Sequence, residues 1–236
     1  MLPQLAYESL PPPRLPVCND IEKGESSCEH PRPHLSLTTI KPNHRVNAYG
    51  EIHDILSEIR HLTIVVESFN RSRGATPIEM LSFSKARSAL EYRLLLMKDS
   101  TEIMCNESQL IYEACRISAV IYINHVLHEF DPAFQILRKL KERLIETIKA
   151  GESVFWELEK SESILFLWVL FMGGLLADGQ NELRWFARRI SHVMQTLGLS
   201  TWDVVQEYLM EVLWVKRMQN SACDSLWREL NCSPEE

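Results

Sequence analysis

From Tyr49 to the end of the chain, apolar residues recur every three or four positions, and no segment shows the sustained alternation of a half-buried strand. Glycine and proline divide this stretch into about eight helical segments. Thr76 begins the second segment with a capping box and a proline at the first helical position. The pattern predicts an all-α fold, a single irregular multi-helix domain over residues 47–236.

Residues 1–46 have a different composition from the rest. They hold eight of the 11 prolines, whereas all six tryptophans lie after residue 155. Their five acidic and five basic residues cancel, so the formal net charge of −7 belongs to residues 47–236. We therefore expect a disordered, Pro-rich arm followed by an acidic helical domain. The acid excess excludes a chain that holds nucleic acid by broad neutralisation of its backbone.

The most apolar run, Ile164–Ala177, is 14 residues long and too short to span a bilayer. It predicts a helix over residues 161–177 that is buried on all sides. Gly173 and Gly174 lie inside it, where glycine costs about 1 kcal/mol relative to alanine. Close approach of another helix explains the pair best, and a nearby ligand is the alternative. The N-terminus lacks a secretory signal, so the chain is expected to be soluble and intracellular.

The helix after Asp131-Pro132 is expected to begin at that pair and to end at Gly151. Its predicted buried stripe consists of Phe134, Leu137, Leu140, Leu144 and Ile148. The basic cluster in residues 138–143 is expected to point to solvent around this stripe, with a nuclear address as the alternative. In the second segment, Ala86, Leu90 and Leu94 are expected to share one apolar face.

Residue spacings argue against a metal site or a cofactor. The six cysteines include no Cys-x₂₋₄-Cys pair, and Cys18 and Cys28 stand ten positions apart in the arm. His125 and His128 lack the glutamate order and the third ligand of a zinc protease, so we expect surface or interface histidines. Cys115 lies on an apolar helical face, where an inert core thiol is expected. We predict no metal, no cofactor and no catalytic residues.

Four motifs resemble, in their order and spacing, those of fungal-specific transcription factor domains. Residues 113–123 read EACRISAVIYI, and residues 163–174 read SILFLWVLFMGG. Arg184–Phe186 reads RWF, and Trp202 is followed by Leu213-Trp214. The resemblance covers roughly residues 50–215.

The resemblance implies a helical regulatory domain of a nuclear transcription regulator, with the cytoplasm as a second location. Full-length relatives carry a DNA-binding zinc cluster of six cysteines, and the arm here has two. We therefore expect a non-enzymatic regulator of metabolic or secondary-metabolite genes that reaches DNA through a protein partner. The candidates for an interaction surface or pocket are Trp168, Gly173, Gly174, Arg184, Trp185 and Arg188.

Two other functions remain open from the sequence. One is a small-molecule sensor with a pocket beside Gly173 and Gly174, in which a ligand would shift a helix equilibrium. The other is an enzyme on a helical scaffold that recruits Cys115, His125 or Glu113.

Overall fold

A computed structural model of the chain describes residues 46–71, 74–97, 106–128, 131–132 and 134–232. Within these ranges the regular secondary structure is entirely helical, which confirms the predicted all-α class. The predicted arm, apart from Val46, lies outside the described residues, as do Cys18, Cys28 and Cys105.

Nine α-helices follow one another along the described part of the chain. They are α1 (Val46–Arg71), α2 (Pro77–Leu96), α3 (Asn106–Tyr122), α4 (Gln135–Ala150), α5 (Glu152–Trp156), α6 (Lys160–Gly174), α7 (Gln180–Leu197), α8 (Trp202–Val212) and α9 (Ser221–Cys232). A π-helical turn, Ile123–Leu127, extends α3, and a 3-10 turn, Lys216–Met218, precedes α9. The helix that the sequence pattern misses is the five-residue α5, which is too short to show a period.

Local signals explain where several helices begin and end. The Thr76 hydroxyl accepts from the backbone N–H of Glu79 at 3.3 Å, and the Glu79 carboxylate accepts from the backbone N–H of Thr76 at 2.7 Å. This capping box is the one predicted. Gly151 ends α4 as predicted, and Gly198 ends α7 with a left-handed backbone (φ 71°) that glycine adopts without strain.

The start of α4 and one face of α2 differ from the predictions. Helix α4 begins at Gln135 because Phe134 has extended backbone, and the Phe134 N–H closes a turn onto the Asp131 carbonyl. Phe134 is consequently exposed and does not belong to the buried stripe. In α2, Ala86 is also exposed, and Phe83 occupies the inner face instead.

Helix α6 lies at the centre of the fold, in contact with α3, α4, α7 and α8. From Ser163 to Leu176, every residue except Leu165 is buried, which confirms the prediction of a helix covered on all sides. A Cβ added to Gly173 would lie 2.5 Å from the ring of Phe186 in α7. A Cβ added to Gly174 would lie 2.7 Å from Leu226 in α9. The close-approach interpretation of the glycine pair is therefore confirmed.

A different segment is long and apolar enough to cross a membrane. It is Gln109–Leu127, and 78% of its most apolar window is buried inside the fold. The core helix of a soluble protein has the same length and composition, so the segment is weak evidence for a membrane span.

Candidate interaction surface

The first motif of the resemblance contributes a buried ion network. Arg116 donates through Nε and Nη2 to the carboxylate of Glu113 at 2.7 and 2.9 Å, and through Nη1 to the carbonyl of Leu94 at 3.0 Å. Arg143 in α4 pairs with the same carboxylate at 2.6 Å. Glu113 therefore joins α3 to α4, and Arg116 joins α3 to the end of α2. Both charged groups are engaged in contacts within the fold.

The basic cluster of α4 does not form the wholly solvated face that the sequence suggests. Lys141 is buried, and its Nζ donates to Glu182 in α7 at 2.6 Å. Arg143 reaches Glu113, whereas Arg138 and Lys139 are exposed as expected. The prediction is wrong for Lys141 because a carboxylate on a helix distant in sequence compensates its burial.

Of the residues that a helical enzyme would recruit, Cys115 lies in surroundings that make its thiol unreactive. Burial, with a smaller contribution from Glu162, raises the pKa of the Cys115 thiol to about 12, so the thiol stays protonated at neutral pH. His125 and His128 are half-buried, and His128 bonds to Glu91 through Nε2. Within the described ranges, no three His, Cys, Asp or Glu side chains are grouped so that they could hold a metal ion.

Trp168, the first candidate residue, belongs to the core. Its side chain is fully buried, and Nε1–H donates to the Leu213 carbonyl at 2.7 Å. This bond ties α6 to the end of α8, which brings the second and fourth motifs together. Beside it, Phe171 and Trp214 meet edge to face, with ring centroids 5.9 Å apart. Trp168, Gly173 and Gly174 thus lie against neighbouring side chains and not on an outer surface.

The other three candidates lie on the outer side of α7. We call this region the α7 surface, and it consists of Arg184, Trp185, Arg188 and Arg189 of α7 together with Lys149 of α4.

Trp185 is the half-buried centre of the α7 surface. The guanidinium of Arg189 stacks on its ring, 3.9 Å from the centroid, and Lys149 Nζ lies 5.9 Å away. The rings of Trp185 and the fully buried Phe186 stand at right angles, with centroids 4.8 Å apart, so Trp185 packs against the core. The result is an aromatic side chain in contact with two cations and with a buried phenyl ring.

Acidic residues on neighbouring helices hold the arginines of the α7 surface. Arg184 donates to Glu229 in α9 at 3.1 Å, and Arg189 pairs with Glu152. Burial lowers the pKa of Arg189, and the Glu152 carboxylate opposes this change. Arg188 projects into solvent.

The sequence places Arg184, Arg188 and Arg189 beside Trp185, but the predicted site residues leave out Arg189. The signal for Arg189 was present, because positions 185 and 189 are one helical turn apart and face the same way. The i, i+4 spacing favours Arg189 as the partner that stacks on Trp185. Arg188, at i+3, is left to face solvent.

The fold and these contacts define an all-helical domain. The four motifs of the resemblance pack its helices together, and the α7 surface faces outward. A family model for the fungal-specific transcription factor domain matches residues 34–233. Because the match covers well over half of the 236 residues, the chain belongs to this family. Searches among curated proteins and among solved structures found no significant match.

Proposed function

We propose that this chain is a non-enzymatic regulator of transcription that acts in the nucleus through protein partners. The observation that carries the proposal is the family match over residues 34–233, which spans all nine described helices. The buried thiol of Cys115 and the paired carboxylate of Glu113 support a packing role for the residues that an enzyme would need. The family resemblance suggests metabolic or secondary-metabolite genes as the target class.

The α7 surface is our candidate for the partner contact. Tryptophan and arginine are the residue types that most often dominate binding energy at protein interfaces. Trp185 is fixed by Phe186 and Arg189, so little side-chain entropy would be lost on binding. Arg184 and Arg189 are already paired with carboxylates of the same chain, so the exposed cations of this surface are Lys149 and Arg188. These two favour a partner segment that carries carboxylates.

A tethering experiment tests the regulatory role. The chain is fused to an unrelated DNA-binding domain in fungal cells, and transcription of a reporter is compared with that of the DNA-binding domain alone. We expect a several-fold change for the wild type and its loss for Arg188→Glu, because Arg188 is exposed and its reversal should not disturb folding. The matched control is Arg138→Glu, an exposed arginine on α4.

Two results would contradict this proposal. A wild-type fusion that leaves the reporter unchanged would remove the regulatory role. Equal behaviour of Arg188→Glu and Arg138→Glu would move the partner contact away from the α7 surface.

A DNA-binding assay with the pure chain tests the dependence on a partner. We expect no preference among promoter fragments over unrelated DNA at physiological salt, since specific recognition needs base contacts and a basic footprint. Tight, sequence-specific binding by the chain alone would overturn the partner-dependent mechanism. A fluorescent fusion observed in living cells tests the nuclear location separately.

A further inference from the structure

Helix α2 carries apolar side chains on two opposite faces. The inner face is buried against the fold through Phe83, Leu90 and Leu94. On the outer face, five large apolar side chains are between 49% and 78% exposed. We call them the α2 outer stripe, and they are Ile78, Leu81, Tyr92, Leu95 and Leu96.

The α2 outer stripe follows the spacing of a helix–helix seam. Ile78, Leu81, Tyr92 and Leu95 occupy the alternating three- and four-residue positions at which two paired helices touch. The two intervening positions of the same seam are Lys85 and Ser88, both exposed. The face is therefore apolar at both ends and has a short polar segment at its middle.

This arrangement is complementary to itself when the helix is reversed. In an antiparallel pair with its two-fold axis between residues 86 and 87, Ile78 faces Leu95 of the partner subunit, and Leu81 faces Tyr92 of the partner subunit. The polar middle then meets the polar middle, where Ser82 and Ala89 are small enough to let the helices approach. A two-fold contact requires this reciprocity, since each residue of a pair must also accept the reverse contact.

Charge favours the antiparallel direction over the parallel one. A parallel pair would bring the two Lys85 ammonium groups face to face across the seam. The antiparallel pair places Lys85 opposite Ser88 of the partner subunit.

The exposed area is appropriate for a reversible dimer. By their fractional exposures, the five side chains present on the order of 600 Å² per copy, against the roughly 800 Å² that each partner gives to a standard interface. This area lies in two apolar ends separated by Lys85 and Ser88, and an antiparallel copy of α2 covers both ends at once. We propose that the α2 outer stripe joins two copies of this chain through an antiparallel α2–α2 contact, a role separate from that of the α7 surface.

Sedimentation equilibrium of the full chain tests this dimer. We expect the average mass to rise from 27.4 kDa toward twice that value between about 1 and 200 µM, the range typical of a small reversible interface. Leu81→Glu/Leu95→Glu should hold the mass at 27.4 kDa throughout, with an unchanged circular dichroism spectrum because both positions are exposed. The matched control is Met80→Glu, an exposed apolar residue of the same helix outside the stripe, which should dimerise as the wild type does.

A charge-pair rescue tests the antiparallel register. Ile78→Lys and Leu95→Glu should each weaken the dimer at least tenfold, because each buries a charge without a partner. The variant with both substitutions should recover most of the loss, since position 78 faces position 95 of the partner subunit only in the antiparallel pair.

Three results would overturn the inference. The first is a wild-type chain that stays monomeric at every concentration, as it would if the stripe served a different protein. The second is a Leu81→Glu/Leu95→Glu variant that dimerises normally. The third is a lack of rescue in the double charge variant, which would exclude the antiparallel pairing.

Discussion

Helices α6 and α2 both carry apolar residues around much of their circumference, yet only α6 is covered on every side. Helix α6 packs mainly against α3, α4, α7 and α8, whereas α2 packs mainly against α1 and α3. In α6 no charged residue follows Glu162, while α2 intersperses Glu79, Lys85 and Arg87 among its apolar positions. Two apolar faces on one helix therefore do not by themselves predict a central position in the fold.

The difference separates stability from association. Apolar area that is already buried contributes to the free energy of folding of one chain. Apolar area that stays exposed contributes only when a second surface covers it. Substitutions in α6 should therefore change unfolding at any protein concentration, and those on the α2 outer stripe should act mainly where chains associate.

The largest effect is expected for Trp168→Ala at the centre of α6. It removes a fully buried indole and leaves the Leu213 carbonyl without its donor, so we expect a loss of about 3–5 kcal/mol in the free energy of unfolding. Urea denaturation measures it. A loss below about 1 kcal/mol would mean that the site is loosely packed, and the contrast with α2 would disappear.

Thiol labelling gives a second measure of how closed the centre is. Burial raises the pKa of the Cys115 thiol from 9.0 to about 12, so at pH 8 the folded chain should hold about a thousandfold less of its thiolate than the unfolded chain. Alkylation followed by mass spectrometry of the Cys115 peptide should show at least this ratio between the urea-unfolded and the native chain. Native labelling at a rate near that of the unfolded chain would show that the core opens readily.

The same pKa has a consequence for stability in alkali. A pKa raised by folding stabilises the fold fully below the unfolded value near 9, and that contribution is lost as the pH rises toward about 12. The free energy of unfolding, measured with urea and expressed relative to the value of the same chain at pH 8, should therefore fall as the pH rises. The fall should be smaller in Cys115→Ala than in the wild type. An equal decline in both chains would show that other groups cause it.

A pair of glycine substitutions compares crowded with open helix backbone. Gly173→Ala places its Cβ 2.5 Å from the ring of Phe186, which is fully buried and cannot withdraw, so we expect a net loss of about 1–2 kcal/mol. Gly50→Ala in α1 has nothing within 4 Å of its Cβ and should gain about 0.5–1 kcal/mol. Thermal unfolding measures both variants. If the melting temperature shifted in the same direction for Gly173→Ala and Gly50→Ala, the close approach of α7 to α6 would be contradicted.

Much of the fold could be predicted because its signals are local. The capping box at Thr76, the turn at Gly198 and the apolar run of α6 each need only a few neighbouring residues. The burial of Lys141 could not be predicted, since it depends on Glu182, 41 positions away in sequence. The exposure of Phe134 could not be predicted either. Asp131 and Pro132 are typical residues of a helix start, but the backbone at Phe134 is extended and α4 begins one residue later.

The candidate site divides in the same way. Local spacing places Arg184, Trp185 and Arg188 on one helix, and the structure leaves them at the surface. Trp168, Gly173 and Gly174 belong to a motif that resembles the family equally well, but side chains of α7 and α9 and the end of α8 cover them. Sequence motifs indicate which residues resemble those of the family. The packing of helices distant in sequence decides whether such a residue is buried or exposed to a partner.

The smallest effect is expected for Tyr92→Ala on the α2 outer stripe. In dilute solution the exposed ring should contribute little, so the free energy of unfolding should change by no more than about 0.5 kcal/mol. A dimer adds stability by mass action, and the gap in melting temperature between wild type and variant should therefore widen as the concentration rises. A loss above about 1 kcal/mol at the lowest concentration would mean that Tyr92 packs within one chain, and the distinction between the two helices would have to be redrawn.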